Sequence, residues 1–444
     1  MKIRIGESIF SNFLKTNDFE YPESVELLDL GSVPDGWLTK DCIALSQGAS
    51  VEESISEMVE TGVWQVVQSK QQNLLGQLSV AATIIDRPDS FFDHPAEEIL
   101  KSGKGAIQQK RWLFRSSSEK IMILKSIDAY LQEIKGANAL RDAINQVADE
   151  FYTNALFNGP FGQEKFSLDR STVVVLNSDK MAELIIGHDS ERIFVACVDM
   201  FGTLDCQGLL ERLNNSYRDG VSRSINMGKG GAGIGFLRVL SLSNDLYVIS
   251  EEEKKTLVAC TFLLGKSPKF SRTNPKNIHF QRYKKFELGA SSFKIQKRRT
   301  CAFFKISGDL KGTLPLAGVD LTEIEEVFFD FRKTKNIDEE SLAVILKWVA
   351  QVDSVRSVSF NYVPFQILKS LKKFEAPKSQ EREISSVLLP FECRSCNTKE
   401  MKLFVKREKG LSLKGEPNIS SPPICKSCDV TMEPSAVCSD LIIT

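Results

Sequence analysis

Glu150 and Asn154 stand four positions apart in Asp149-Glu150-Phe151-Tyr152-Thr153-Asn154-Ala155-Leu156. On a helix both side chains leave the same face. A carboxylate held there can take a proton from a hydroxyl, and a carboxamide oxygen beside it is the hard kind of ligand that Mg2+ prefers. A solvated helix face would carry the same pair without that chemistry. Further along, Gly228-Lys229-Gly230-Gly231-Ala232-Gly233-Ile234-Gly235 runs into the apolar stretch Phe236-Leu237-Arg238-Val239-Leu240. Closely spaced glycines permit positive φ and let backbone N–H groups surround phosphate oxygens. The helix that follows adds its dipole, and Lys229 adds a cation. A flexible linker is the competing reading, but the run lies between periodic elements and opens a helix.

Near the C-terminus, Cys393-Arg394-Ser395-Cys396 and Cys425-Lys426-Ser427-Cys428 are two Cys-x-x-Cys pairs with 28 residues between them. Four thiolates so paired suit tetrahedral Zn2+ in a zinc ribbon, with Met401 to Val405 as a strand between them. Such a site is closed and structural, and it stabilises a segment too small to fold alone. Independent redox pairs are the alternative.

The elements that would position these groups follow from periodicity. The pattern predicts helices over 119–135 and 138–157, a buried strand over Phe194–Val198, and two strands over Asp245–Ile249 and Thr256–Phe262. The first strand ends in Asp199-Met200-Phe201-Gly202-Thr203-Leu204-Asp205.

Taken in order, these segments resemble the boxes of the gyrase, heat-shock-chaperone, histidine-kinase and mismatch-repair (GHKL) ATPases. The resemblance covers residues 135 to 266 and implies an ATP-binding α/β sandwich, a mixed sheet covered by helices. It makes Glu150 the general base and Asn154 the Mg2+ ligand on ATP. It makes Asp199 the acceptor for the adenine amino group, beside Gly202. Gly228, Lys229, Gly230, Gly231, Gly233 and Gly235 become the phosphate loop, and Thr256 a nucleotide contact. The segment 203–227 becomes the lid. Phe201 and Thr203 depart from the family, because they stand where it usually has glycines.

Only three histidines exist, and His94, His188 and His279 read as surface residues, which argues against an autophosphorylating histidine kinase. The compact domain looks more like the anti-sigma-factor serine kinases, which act on a small sulfate-transporter-and-anti-sigma-antagonist (STAS) partner. Residues 299–380 themselves resemble a STAS domain in the order of their elements: Cys301–Leu310, Val327–Phe331, a helix over 338–351, and Val355–Phe360. Asp338-Glu339-Glu340-Ser341 stands at its phosphorylatable turn, an acidic replacement for phosphoserine. An ordinary helix start with Asp338 as N-cap would look the same.

Residues 1–118 read as an α/β domain, with strands over 25–30, 42–45 and 63–67, helices over 51–61 and 71–85, and a loop-rich end over 87–118. The order faintly resembles a degenerate response-regulator receiver, with Ser46 and Lys70 at its phosphate-sensing places. A generic α/β domain is the alternative. The segment 267–298 reads as a basic linker or outer strand: from 266 to 299, eleven Lys or Arg face the single acid Glu287. Its interleaved aromatics offer a second possibility, contact with nucleic acid.

A chain of 444 residues with 42% hydrophobic and 26% charged residues is a multidomain globular protein. Its net charge of −1 gives no global reason for a polyanionic partner. No run reaches bilayer length, and single cysteines such as Cys42, Cys197, Cys206, Cys260 and Cys301 suit buried thiols. The expectation is a cytoplasmic signalling regulator that binds ATP, Mg2+ and Zn2+ and acts on a protein partner of a sigma-factor-type switch.

Overall fold

The computed structural model describes residues 26–29, 42–69, 73–101, 105–160, 173–219, 232–267, 274–288, 291–310, 316, 319–373, 379–405, 424–425 and 427–434. Two compact units divide the chain, Met1–Tyr283 and Lys284–Thr444. The protein is mixed α/β with a large mixed sheet. No described helix is long and apolar enough to cross a membrane.

The first unit opens with β1 (Glu26–Asp29), β2 (Cys42–Ser46), α1 (Val51–Thr61), β3 (Gln65–Gln68), α2 (Leu74–Asp86), α3 (Ser90–Asp93) and α4 (Pro95–Leu100). It continues with β4 (Gln108–Phe114), α5 (Lys120–Glu133), α6 (Arg141–Phe157), β5 (Ala182–His188) and β6 (Arg192–Asp199). Then come α7 (Cys206–Asp219), α8 (Ala232–Leu242), β7 (Asp245–Glu251) and β8 (Lys255–Leu263), and β9 (Asn277–Leu288) begins.

Strands β4, β5, β6, β8 and β7 form an antiparallel run in that spatial order. Residues Asn277–Tyr283 of β9 join β7 in parallel, and β3 pairs with β9 through Gln65↔His279. Parallel β1, β2 and β3 complete the unit's sheet. Alternation along the strands fixes its two faces. On one, Tyr152 of α6 stacks on Phe114 of β4 with ring centroids 4.1 Å apart. On the other, Val80, Ile84, Phe91, Ile99 and Leu100 from α2 to α4 pack on Ile185, Phe194, Tyr247 and Leu257. Residues expected in a separate domain over 1–118 therefore share one core with residues of the segment 135 to 266.

Several expectations change at this level. The stretch 87–118 is not mainly loop, since it contains α3, α4 and strand β4. Strand β5 is an addition. Of the two readings of segment 267–298, linker or outer strand, the described residues show the strand, since they carry β9 and β10 (Ser291–Arg298). His279 is fully buried and not on the surface, and burial lowers its pKa to about 3, so it stays neutral. The five single cysteines are buried as free thiols. Ser46 is buried too, and its hydroxyl accepts from Ala49 N–H at 3.0 Å. Lys70 lies outside the described residues.

The second unit contains the end of β9, β10, β11 (Cys301–Leu310), β12 (Glu326–Ile337), α9 (Glu339–Ala350), β13 (Ser357–Asn361), β14 (Val363–Pro364) and α10 (Phe365–Lys373). They are followed by β15 (Glu381–Ile384), β16 (Ser386–Glu392), β17 (Lys399–Val405) and β18 (Glu433–Pro434). Strands β10 and β11 are antiparallel, while β11, β12, β13 and β15 run parallel. A phenylalanine-rich core, with Phe293, Phe304, Phe329 and Phe360, packs against α9. Asp338 caps α9, accepting from Ser341 N–H at 2.7 Å, and Glu339 and Glu340 fill the first turn. The N-cap reading of this motif is the observed one, and Ser341 is completely buried.

Candidate functional site

Helix α6 is amphipathic for a plain reason. Ala143, Ile144, Val147, Phe151, Ala155 and their neighbours bury one face, which leaves Gln146, Glu150, Asn154 and Asn158 in line along another. Asn154 Nδ2 donates to Glu150 Oε1 at 2.9 Å, and Asn158 Nδ2 donates to Asn154 Oδ1 at 2.7 Å. The expected pair thus belongs to a three-residue chain of hydrogen bonds. Asn158 continues the i, i+4 spacing, and that spacing was the signal for it in the sequence.

Helix α8 comes up against this face. It opens at Ala232, inside the glycine run and four residues before its apolar stretch, so Gly233 and Gly235 are helical and not part of a loop. Gly235 lies over Glu150, where a β-carbon would stand 1.7 Å from Oε1. Only glycine allows this approach. From α8, Arg238 Nε donates to Gln146 Oε1 at 3.1 Å. Gly228, Lys229, Gly230 and Gly231 lie outside the described residues.

Strand β6 delivers Asp199 at its carboxyl end, opposite Thr256 of β8. Burial pushes the Asp199 carboxyl up to about 6, although the N–H groups of Phe201 and Gly202, the Thr256 hydroxyl and Lys180 all favour its charged form. Phe201 N–H donates to Oδ1 at 3.0 Å. Gly202 has φ +64, and a β-carbon there would meet Glu251 O at 2.0 Å, so its glycine is demanded by the β7–β8 turn. Lys180 Nζ donates to Met200 O at 2.8 Å and stands over the Phe201 ring; nothing in the sequence singled it out.

The turn after Asp199 leans on the end of α6. Thr203 Oγ1 donates to Gly159 O at 2.8 Å, and a β-carbon on Gly159 would meet Phe201 Cδ2 at 2.9 Å. Beyond it, the expected lid 203–227 is helical from Cys206 to Asp219. Helix α7 buries Cys206, Leu209, Leu210 and Leu213 as an ordinary packed element. The end of that segment, 220–227, lies outside the described residues.

In the second unit the sulfurs of Cys393, Cys396, Cys425 and Cys428 lie within 4.8 Å of one another. Cys393–Cys428, Cys396–Cys425 and Cys396–Cys428 are 3.4, 3.5 and 3.3 Å apart. A Zn2+ with bonds of about 2.3 Å needs tetrahedrally placed sulfurs roughly 3.8 Å apart, so the group fits with a small outward shift. The two turns match. Cys393 N–H donates to Thr398 O and Asn397 N–H to Cys393 O, while Cys425 N–H donates to Val430 O and Asp429 N–H to Cys425 O. Asn397 and Asp429 hold φ of 57 and 54, the left-handed position that closes each turn. The Thr398 hydroxyl, 3.0 Å from Cys396 Sγ, and its N–H lower that thiol to about 6. Four such thiols can hold a metal ion such as Zn2+.

No family model matches the chain, and no curated protein matches it.

Proposed function

We propose that the chain is an ATP-binding signalling regulator of the GHKL type, whose first unit holds Mg-ATP and whose second unit is a STAS-like domain with a structural zinc ribbon. The observation that carries this reading is the approach of Gly235 to Glu150. It brings the end of the glycine run onto the helix face that bears the carboxylate and carboxamide. A half-buried carboxylate with a raised pKa at the end of β6 adds support, because such groups cluster where they serve a ligand.

In this reading Asp199 accepts from the adenine amino group and Thr256 flanks it. Gly202 shapes the turn there. Asn154 offers an oxygen to Mg2+, and the start of α8 faces the phosphates, for which Lys229 and the glycines before it, outside the described residues, are the proposed contacts. The bound cation would neutralise phosphate charge. Glu150 takes the proton from an attacking hydroxyl of a protein partner, as in the anti-sigma-factor serine kinases. The parallel order of β11, β12, β13 and β15 supports a STAS-like fold, and the buried Ser341 behind an acidic cap supports a substrate outside this chain. Calorimetry with the zinc-loaded protein tests the reading: ATP and an unreactive analogue should both bind, and no heat from either would defeat it.

A second reading is an ATP-gated interaction module without phosphotransfer. The hydrogen bond from Asn154 to Glu150 favours it, since it gives the carboxylate a purely structural task. Glu150→Ala would then leave partner control intact, whereas Asn154→Ala would abolish it.

A further inference from the structure

We infer that Asn158 is a positioning residue for the cation end of the proposed nucleotide site, an inference that rests on the ATP-binding reading. A carboxamide has one accepting end and one donating end. The donating end of Asn154 is committed to Glu150 Oε1 at 2.9 Å, and its oxygen accepts from Asn158 Nδ2 at 2.7 Å. Turned over, Asn154 would aim its NH2 at that of Asn158 and its oxygen at the Glu150 carboxylate. Both contacts would be repulsive. Glu150, which can only accept, decides which way round the Asn154 amide sits, and Asn158, whose own amide could turn to suit either, adds the hydrogen bond that holds the Asn154 oxygen in place. A carboxamide oxygen has two lone pairs, so accepting from Asn158 leaves capacity for a cation.

Asn158 is itself held in place. Its N–H and that of Gly159 both donate to Asn154 O, at 2.9 and 3.1 Å. Gly159 is docked on the turn after Asp199 through Thr203 and Phe201. The residue that steadies the cation ligand is thus the chain neighbour of the residue that meets the adenine-side turn. One helix end connects the two halves of the site, with Asn158 also serving as the C-cap of α6.

The experiment compares Asn158→Leu, nearly the same shape without a donor, with Asn158→His, whose ring N–H can stand where Nδ2 stands. ATP binding is measured by calorimetry on the full zinc-loaded chain, once with Mg2+ and once with EDTA, after thermal melting of each variant. Loss of one hydrogen bond predicts a roughly five- to tenfold weaker Kd for Asn158→Leu in Mg2+. Its Kd in EDTA should be unchanged, and Asn158→His should stay near the parent in both. Asn158→Ala carries the same prediction if leucine disturbs the helix end. Equal weakening in both buffers, or none in either, overturns the inference while ATP binding itself stands. If the parent chain binds no ATP in either buffer, the nucleotide reading fails and takes this inference with it.

Discussion

Glu150 and Gly235 approach so closely that a single methyl group at 235 would overlap the carboxylate, with 1.7 Å between the added carbon and Oε1. Gly235→Ala should push the Glu150 side chain aside and weaken ATP binding, while lowering stability by less than about 1 kcal/mol, because a flexible side-chain end gives way cheaply and alanine suits the helix better than glycine. The double variant Glu150→Ala/Gly235→Ala removes the obstacle. Melting curves should show the double variant recovering most of that loss. Equal destabilisation of single and double variants would mean that the contact does not matter.

Asp199 links stability to pH. The folded chain raises this carboxyl from 3.8 to about 6, so it holds the proton more tightly than the unfolded chain does. This contribution to stability is greatest below pH 4, falls as pH rises toward 6 and is level above. At 1.36 kcal/mol per pKa unit the fall is about 3 kcal/mol. Asp199→Asn lacks that slope, so it should be the more stable protein at pH 7 without nucleotide, while binding ATP more weakly. Buried His279, lowered to about 3, slopes the opposite way, losing stability below pH 6.5. The test is therefore the difference between the two proteins' melting curves from pH 4 to 8. A flat difference would show that Asp199 is not the source.

Metal analysis of the purified chain should find one Zn2+ bound by Cys393, Cys396, Cys425 and Cys428. Any one of these changed to Ser should release it and expose the segment from β16 onward to protease, because the metal supplies folding free energy there. Retention of zinc by Cys425→Ser would rule out the four-thiol site.

Asp338→Ala removes the acceptor for Ser341 N–H and should cost about 1 kcal/mol in melting experiments. With labelled ATP, neither protein should carry phosphate at Ser341, which is completely buried. Label at that residue would defeat the reading of an acidic, non-accepting domain.

DNA and RNA binding measured across a salt series should show no salt-sensitive complex. Of the aromatics interleaved with the basic residues of β9, Phe280 and Tyr283 are fully buried, as is His279, and the half-buried Phe286 packs on Phe293, so β9 presents no fully exposed ring to stack on bases. A steep salt slope would overturn this.

What the sequence made legible was whatever depends on local periodicity. Helix α6, strands β6, β7 and β8, the cap of α9 and the paired cysteines stand where spacing places them. Strand β4 escaped because Gln108-Gln109-Lys110-Arg111 lies largely exposed at a sheet edge and lacks an alternating apolar pattern. The shared core of α2 to α4 with β6 to β8 escaped because its partners are from about 90 to almost 190 residues apart, and no local pattern records such a meeting. His279 misled for a related reason. It stands among basic residues in sequence, yet it stacks on Tyr247 at 5.0 Å and is bonded to Gln65 on strands it meets only after folding.

The matched cysteine turns have a consequence for how this chain can vary. Each turn closes through its own backbone hydrogen bonds, so a cation has only to staple two ready-made halves across the 28 residues that separate them. The entropy of closing such a span grows with the logarithm of its length, and doubling it costs only about 0.6 kcal/mol. Outside β17, which is paired with β16 along its whole length, a longer stretch between the halves should therefore cost metal affinity little.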